Sequence, residues 1–292
     1  MPLLLMCLPA IIYTFIFHYL PISGVVMAFK DYNYRDGILG SPWVGLENFE
    51  FFFSSNDFFR VIGNTVGYNA AFIVLEMIFG VAFALLMYEI NSKKMLKYVQ
   101  TVSSIPYTLS MVIIAYIVYA LLSYNHGFVN RIIEVFGGKA ITWYNSPGYW
   151  PLILIITHLW QCLGFGCLLY YSALMGVDQQ LYEAAAIDGA GRLKQVLHIS
   201  IPELVPIMCL KLIMGIGNVV NSSLGLFYQV PMGSEALIPT TDVISTYVLR
   251  GLQTGSIGVT TAVGLFQNVC GFILLITSNA IIKKVRPENA LF

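Results

Sequence analysis

The sequence predicts an all-α polytopic membrane protein, with six transmembrane helices and a short cytoplasmic helix between the fourth and fifth. Three observations predict it. The 292 residues are 58% apolar and only 10% charged, against about 25% charged in a soluble domain, and mean hydropathy is +0.76. Six stretches each supply the roughly 20 mostly apolar residues that a helix needs to cross a bilayer core. Basic residues gather in the short connections that alternate with longer, aromatic-rich ones. A soluble enzyme is excluded, because this composition cannot cover a water-facing surface. A formal net charge of zero gives no basic signal for nucleic acid.

The spans follow in order. Met1 to Phe29 carries no charge, and the first helix is expected over about 3–29. Val61 to Tyr88 carries only Glu76, Tyr98 to Asn130 is uncharged with its densest part at Val102–Leu122, and Ala140 to Val177 is uncharged with its densest part at Trp150–Leu174. Leu204 to Ser234 carries only Lys211, and Gly251 to Ile282 carries none. Helices two to six thus occupy about 60–283. The connection over about 30–58 holds the turn signals Asp36-Gly37, Gly40 and Ser41-Pro42. It reads either as an ordered cap or as part of a docking surface.

Orientation follows from basic residues near the membrane. With six spans, both termini share one side with Lys93, Lys94, Lys97, Arg192, Lys194, Lys283, Lys284 and Arg286. The other side holds Lys30, Arg35, Arg60, Arg131, Lys139 and Arg250 over longer loops that also carry most of the acids. The runs KKMLK and KKVR hug the membrane, which places both termini in the cytoplasm. The five cysteines sit inside apolar runs without CxxC or metal-ligand spacing, so neither a disulfide framework nor a metal site is expected.

The connection over 178–203, DQQLYEAAAIDGAGRLKQVLHISIP, carries the functional argument. Asp178 is a good N-cap, Gln179 to Asp188 reads as a helix, and Gly189 suits the residue that stops it. Ala184, Ala185 and Ala186 give a flat face that another backbone can approach, and Glu183 and Asp188 put charge beside it. Leu193, Val196 and Leu197 form an apolar stripe opposite Arg192, Lys194, Gln195 and His198, and Pro202 marks the start of the fifth span. Such a pair of helices either docks on another protein or is an ordinary interfacial loop.

Here the sequence resembles a known family. Glu183-Ala184-Ala185, Asp188-Gly189-Ala190-Gly191 and Ile199-x-Ile201-Pro202 match the "EAA" signature of bacterial ABC-importer permeases. SGVVMAFKDYN (Ser23–Asn33), GILGSPWVGLENF (Gly37–Phe49) and TAVGLFQ (Thr261–Gln267) extend the similarity along the chain, to the LplB-type permeases of type I, maltose-transporter-like carbohydrate importers. Members of that group carry a short basic lead, so a start at Met1 almost inside the first span reads as clipped or unusual. The resemblance implies one permease domain over 1–292, in the bacterial cell membrane. It implies a heterodimer with a second permease, two ATPase subunits beneath that bind Mg-ATP, and an extracytoplasmic solute-binding protein above. It further implies that Glu183 to Gly191 form a coupling helix seated on an ATPase. Glu183 would meet a basic residue there, and Gly189 would permit the turn. The substrate implied is an oligo- or polysaccharide.

Energy has to come from such partners, since no G-x-x-x-x-G-K-[ST] loop exists; GSIGVTT (Gly255–Thr261) lacks the lysine. No nucleophile–base or zinc pattern points to catalysis or to a cofactor in this chain. Ionisable groups in hydrocarbon are costly and are functional candidates. Glu76 pairs with Lys211 or lines an aqueous path, Lys211 alternatively snorkels to the interface, and His18 sits at the outer interface. His158, Gln161 and Phe165 share one face of the fourth span, and Gly215, Asn218, Asn221 and Ser222 share an overlapping face of the fifth. These amides and hydroxyls either bond neighbouring helices or line a saccharide path, where amides read hydroxyls and aromatic rings stack on sugars. Gln267 and Asn268 in the sixth span are further candidates. Gly63-x-x-x-Gly67 is a small-residue match for a helix contact.

Two rivals remain at this stage. A permease of the same architecture for another solute would change only the substrate, and the aromatic and amide-rich faces speak against an ionic one. An ion-coupled secondary transporter would show inverted repeats and broken helices at matching positions, and no repeat is visible. An intramembrane enzyme lacks a constellation.

Overall fold

The computed structural model describes residues 2–285 and 287; Met1 and Arg286 lie outside them. Regular structure among the described residues is helical, apart from an isolated antiparallel bridge between Lys30 and Trp43. Five helices are long and apolar enough to cross a membrane: Met6–Phe29, Phe58–Tyr88, Pro147–Leu174, Arg192–Gly217 and Ile257–Lys284. A further pair, Lys93–Thr108 and Met111–Leu122, meets at 98° and makes a sixth span, third in order, where the two count as one broken helix.

The first span changes its winding along its length. Its α-helix gives way to a π-turn at Phe15–Tyr19 and then to 3₁₀ winding through Phe29. Pro21 has no N–H to continue an α-ladder, and it stands where the π-turn gives way to the 3₁₀ winding. The apolar window of this span is not buried against the rest of the chain. It packs through its outer end, where Gly258 of the sixth span approaches the Lys30 carbonyl; a Cβ on Gly258 would lie 2.7 Å from that oxygen. The 30–58 connection is an ordered cap. Asn48 Nδ2 donates to the Ala28 and Lys30 carbonyls at 2.9 and 3.0 Å, and Trp43 stacks on Phe29 at 5.7 Å.

The second and fourth spans form the spine, and the core divides along them. One cluster joins Tyr68, Phe72, Ile114, Trp150, Leu154 and Phe227 towards the Trp150 end of the fourth span. Another joins Val81, Met87, Cys167, Tyr170, Leu174 and Leu204 towards the coupling loop. The third and fourth spans cross at Gly164, where an added Cβ would collide with the Ser103 backbone carbonyl. Gly63 and Gly67 face open space instead, so their spacing marks no contact within this chain.

Two expected spans are broken. The third, read from sequence as continuous over Tyr98 to Asn130, has Leu109 and Ser110 in extended conformation, and Ser110 accepts from Ile113 N to start a new helix. Pro106 in the preceding turn favours that end. The fifth, expected over Leu204 to Ser234, ends at Gly217. Asn218 turns its amide back to the Met214 carbonyl at 2.9 Å, a local bond that competes with the helix ladder. Residues 218–224 are then largely non-helical before a π-turn at Gly225–Gln229. Asn218, Asn221 and Ser222 therefore lie in the break, and do not share a helical face with Gly215.

Candidate functional site

The 178–203 connection folds as its residues require. Asp178 Oδ1 accepts from Gln180 N at 3.0 Å and caps the Gln179–Ile187 helix. At the other end the Ala190 N–H bonds the Ala185 carbonyl at 2.8 Å and the Gly189 N–H bonds the Ala186 carbonyl at 3.1 Å. That paired closure needs a left-handed residue at Gly189, whose φ is +77°. Glu183, Ala184, Ala186, Asp188, Gly189 and Gly191 are exposed, Ala185 and Ala190 are half-buried, and Ile187 is 87% exposed. The helix thus presents small residues, two large apolar side chains (Leu181 and Ile187) and two acids outward.

Its back is tied to the spans. Gln179 Nε2 donates to Tyr88 Oη at the end of the second span at 2.7 Å. The Tyr182 hydroxyl shares a 2.9 Å hydrogen bond with Ser200 Oγ, and burial pushes the Tyr182 phenol up, so it stays protonated. Gln195, expected on a polar face, is buried and donates to the Ala190 carbonyl at 3.2 Å. Leu193 and Leu197 are exposed, so the expected stripe is not covered by this chain. Pro202 does not start a new helix. Winding is continuous from Arg192, through a π-turn at Val196–Ser200, into Ile201–Gly217.

The intramembrane polar residues fall into two groups. In the first, His158 Nε2 lies 2.6 Å from Glu76 Oε1, and its ring stacks on Phe72 at 3.9 Å. This replaces the expected pairing of Glu76 with Lys211. The second and fourth spans run side by side and bring the imidazole to the carboxylate directly. Lys211 holds its ammonium over the Tyr170 ring at 5.1 Å, and shares a small cavity of about 60 Å³ with Glu76, Tyr170 and Gly215. Gly215 is there for closeness, since a Cβ would lie 2.9 Å from the Ile73 side chain. Gln161 is buried; Phe165 is exposed and stacks on Tyr107 at 4.3 Å.

Cys162 joins Glu76 and His158 with ligand atoms within 4.8 Å of one another. Spacing along the chain could not reveal that trio, because it spans two helices. Ligands of one tetrahedral ion stand about 3.3 Å apart or more, and the 2.6 Å contact of Glu76 with His158 is instead that of a hydrogen bond.

The second group is the break after the fifth span. Asn218 and Asn221 with Gln267 and Asn268 line an open concavity of about 190 Å³. Backbone freed from a helix within a membrane needs partners. Asn69 Nδ2 of the second span supplies them, donating to the Val219 and Asn221 carbonyls at 2.9 and 2.7 Å. Ser222 bonds Ser245 at 3.0 Å and faces away from that role. The Gly271 Cα packs so near Gly217 that a Cβ would lie 2.7 Å from its carbonyl, which holds the fifth and sixth spans together at the concavity that both glycines line. Gly215 thus lies in the cavity of Glu76, the partner of His158, whereas Asn218 and Asn221 line the other concavity, so the expected fifth-span face is divided between two places.

Two structural centres were missed. Asn69 carries the same signal as Asn218, an amide inside an apolar run. Asp242, in a loop, is fully buried and receives Arg60 at 2.8 Å and Arg250 at 2.6 Å. It pins the start of the second span to the Ile244–Gln253 helix, and its carboxylate holds the Arg250 guanidinium pKa above its ordinary value.

Comparison with known proteins accounts for this arrangement. Residues 77–287 match the family described as "Binding-protein-dependent transport system inner membrane component". The chain is 35% identical over 288 residues to the polygalacturonan/rhamnogalacturonan transport system permease protein YteP of Bacillus subtilis, covering 98% of this chain and 89% of that one. It is 34% identical over 289 residues to protein LplB of the same organism, covering 98% and 90%. A crystal structure of a bacterial ABC transporter involved in import of the acidic polysaccharide alginate superimposes with a TM-score of 0.88 at 30% identity, over 97% of this chain and 96% of that one. A second structure, of the alginate transporter in complex with alginate pentasaccharide-bound periplasmic protein, gives 0.87 over 97% and 94%. With its family signature on an exposed, glycine-closed helix and its spans in this arrangement, the chain belongs to the inner-membrane permease components of binding-protein-dependent ABC importers.

Proposed function

We propose that this chain forms half of the translocation path of an ATP-driven importer of oligo- or polysaccharide, and relays ATPase motion to that path. One observation carries the reading. A single helix, Arg192–Gly217, runs from the exposed Gln179–Ile187 helix to the amide-lined break. Its 26 residues span about 39 Å. A push at one end displaces the Asn218–Asn221 carbonyls and amides at the other. Amides that donate and accept at once suit sugar hydroxyls, and the relatives named for polygalacturonan and alginate agree with a saccharide substrate.

In this mechanism Glu183 to Gly191 seat on a cytoplasmic ATPase subunit that binds Mg-ATP, and both termini are cytoplasmic. A second permease completes the path, and an extracytoplasmic binding protein delivers the saccharide. Asn218, Asn221, Gln267 and Asn268 contact the sugar in passage. His158, Gln161 and Glu76 hold the second span to the fourth while the fifth moves. The test is gentle purification of the tagged chain from its host, followed by mass spectrometry. Recovery of an ATPase and a second permease is expected. A chain recovered alone, even after crosslinking beside Glu183, overturns the assembly.

A further inference from the structure

We propose that an aromatic cleft at the end of the molecule opposite the coupling helix is a second saccharide subsite, which takes one sugar ring of an arriving chain by stacking. The inference rests on the saccharide reading above. The cleft, about 280 Å³, lies between the outer end of Met111–Leu122 and residues 142–145. Tyr119, Tyr124, Trp143 and Tyr144 provide rings, and Ser123, Thr142 and Asn145 provide hydroxyl and amide groups. No charged side chain lines it. The fourth span, Pro147–Leu174, separates it from the Gln179–Ile187 helix.

The Trp143 and Tyr144 rings are fixed before any ligand arrives, and Tyr119 packs on Tyr144. Trp143 Nε1 donates to the buried Asn130 Oδ1 at 2.9 Å, and Asn130 Nδ2 donates to the Ile141 carbonyl at 3.0 Å. Trp150 Nε1 donates to the Trp143 carbonyl at 2.8 Å, and Ser234 Oγ to the Tyr144 carbonyl at 3.0 Å. Tyr144 stands edge-on to Trp150 at 5.1 Å and to Tyr119 at 5.5 Å. Aromatic residues that merely anchor a protein at the membrane surface keep their polar tips in water. Here both indole N–H groups are satisfied inside the protein, while Tyr119 and Tyr124 leave 45% and 55% of their surface open.

A pyranose offers an apolar C–H face and a rim of hydroxyls. Rigid rings accept the face at small entropic cost, and the hydroxyl and amide side chains accept the rim. The volume falls just under the roughly 300 Å³ at which small-molecule sites begin, so it suits one ring of a chain. Because the lining is uncharged, the ring itself is read, and every repeat of a polymer qualifies in turn. The cleft adjoins the segment before the Asp242 centre, since Tyr144 Oη donates to the Val230 carbonyl at 3.4 Å.

The test uses the complete transporter in proteoliposomes with its ATPases and binding protein, and oligogalacturonides and maltotriose as probes. Tyr119→Ala with Tyr124→Ala leaves the Asn130–Trp143–Trp150 frame intact. Uptake is expected to fall about threefold to tenfold, with ATP hydrolysis stimulated by the binding protein unchanged, and Tyr119→Phe with Tyr124→Phe to restore it. Loss of uptake and stimulation together would make the cleft a protein-docking surface and overturn the subsite. Unchanged uptake, where Asn218→Leu reduces it, overturns the subsite and leaves the importer reading standing. A wild-type complex that imports no oligosaccharide overturns both.

Discussion

Asn221 Oδ1 accepts a hydrogen bond from Gln267 Nε2 at 2.9 Å, and so ties the break after the fifth span to the middle of the sixth. Each of these amides keeps hydrogen-bonding capacity for a ligand. Asn218→Leu with Gln267→Leu removes two such groups from the concavity. Saccharide uptake should fall by about tenfold or more, since each hydrogen bond is worth about 1 kcal/mol. Basal ATP hydrolysis by the assembled complex should persist. Uptake equal to wild type would place the path elsewhere.

Gly189 at φ +77° closes the coupling helix. A side chain there costs about 1–2 kcal/mol in the left-handed region, more for a β-branched one, and no neighbour lies within 4 Å to cause a clash. Gly189→Val should therefore leave insertion and abundance near normal while changing the turn that aims Asp188 and Gly191. Glu183→Lys reverses the charge of an exposed seat. Both variants should lose transport yet retain ATPase activity of the isolated partner subunits. Uptake assayed beside membrane abundance decides it, and normal values of both contradict the coupling role.

How far these features were legible in the sequence depends on their range. The Gln179–Ile187 helix was readable to within one residue of its expected end at Asp188, because an N-cap aspartate, an alanine run and a left-handed glycine are local chemistry. The spans were readable as apolar lengths. Their breaks were not, because apolar composition continues on either side of Ser110 and Asn218, the local signals there (Pro106 with the Ser110 cap, and the Asn218 amide) are weak, and the second break also needs a partner elsewhere. Asn69 makes the 218–224 segment tolerable, and it is about 150 residues away in sequence. Glu76 illustrates the same limit. Sequence offered Lys211 as its counter-charge, while helix packing delivered His158. Asp242, in a polar loop, gave no sign that it would be buried between two arginines.

Asp242 itself makes a test of the frame. Its carboxylate is fully buried and bonds Arg60, Arg250 and the Thr246 hydroxyl. Asp242→Ala leaves two guanidinium groups without their shared anion. Breaking one side of a buried pair costs about 3–5 kcal/mol, and both arginines are about a third exposed, so water recovers part of that. A lowered melting temperature in detergent is expected, with little change on Lys139→Ala as a surface control. Equal melting of Asp242→Ala and wild type would mean that the second span is held there by apolar packing and by the hydrogen bonds of Asn64, Thr65 and Tyr68, without the carboxylate.

Tyr170 offers a test that turns on a sign. Its side chain is buried, its hydroxyl has no hydrogen-bond partner among the protein groups, and its ring lines the roughly 60 Å³ cavity that Glu76 and Lys211 share. A buried hydroxyl without a partner costs about 1–3 kcal/mol, so in a dry site Tyr170→Phe would stabilise the protein. A cavity of this size with an acid, an ammonium and a phenol around it has the room and the partners for a bridging water, and with that water the hydroxyl joins a network of the second, fourth and fifth spans. Tyr170→Phe is therefore expected to lower the melting temperature, and Lys211→Met to lower it further by leaving the Glu76–His158 pair without its nearby cation. A raised melting temperature for Tyr170→Phe would show the junction to be dry, and would leave Tyr170 joining only the second and fourth spans through its packing on Gly80, where a Cβ would stand 3.0 Å from the ring.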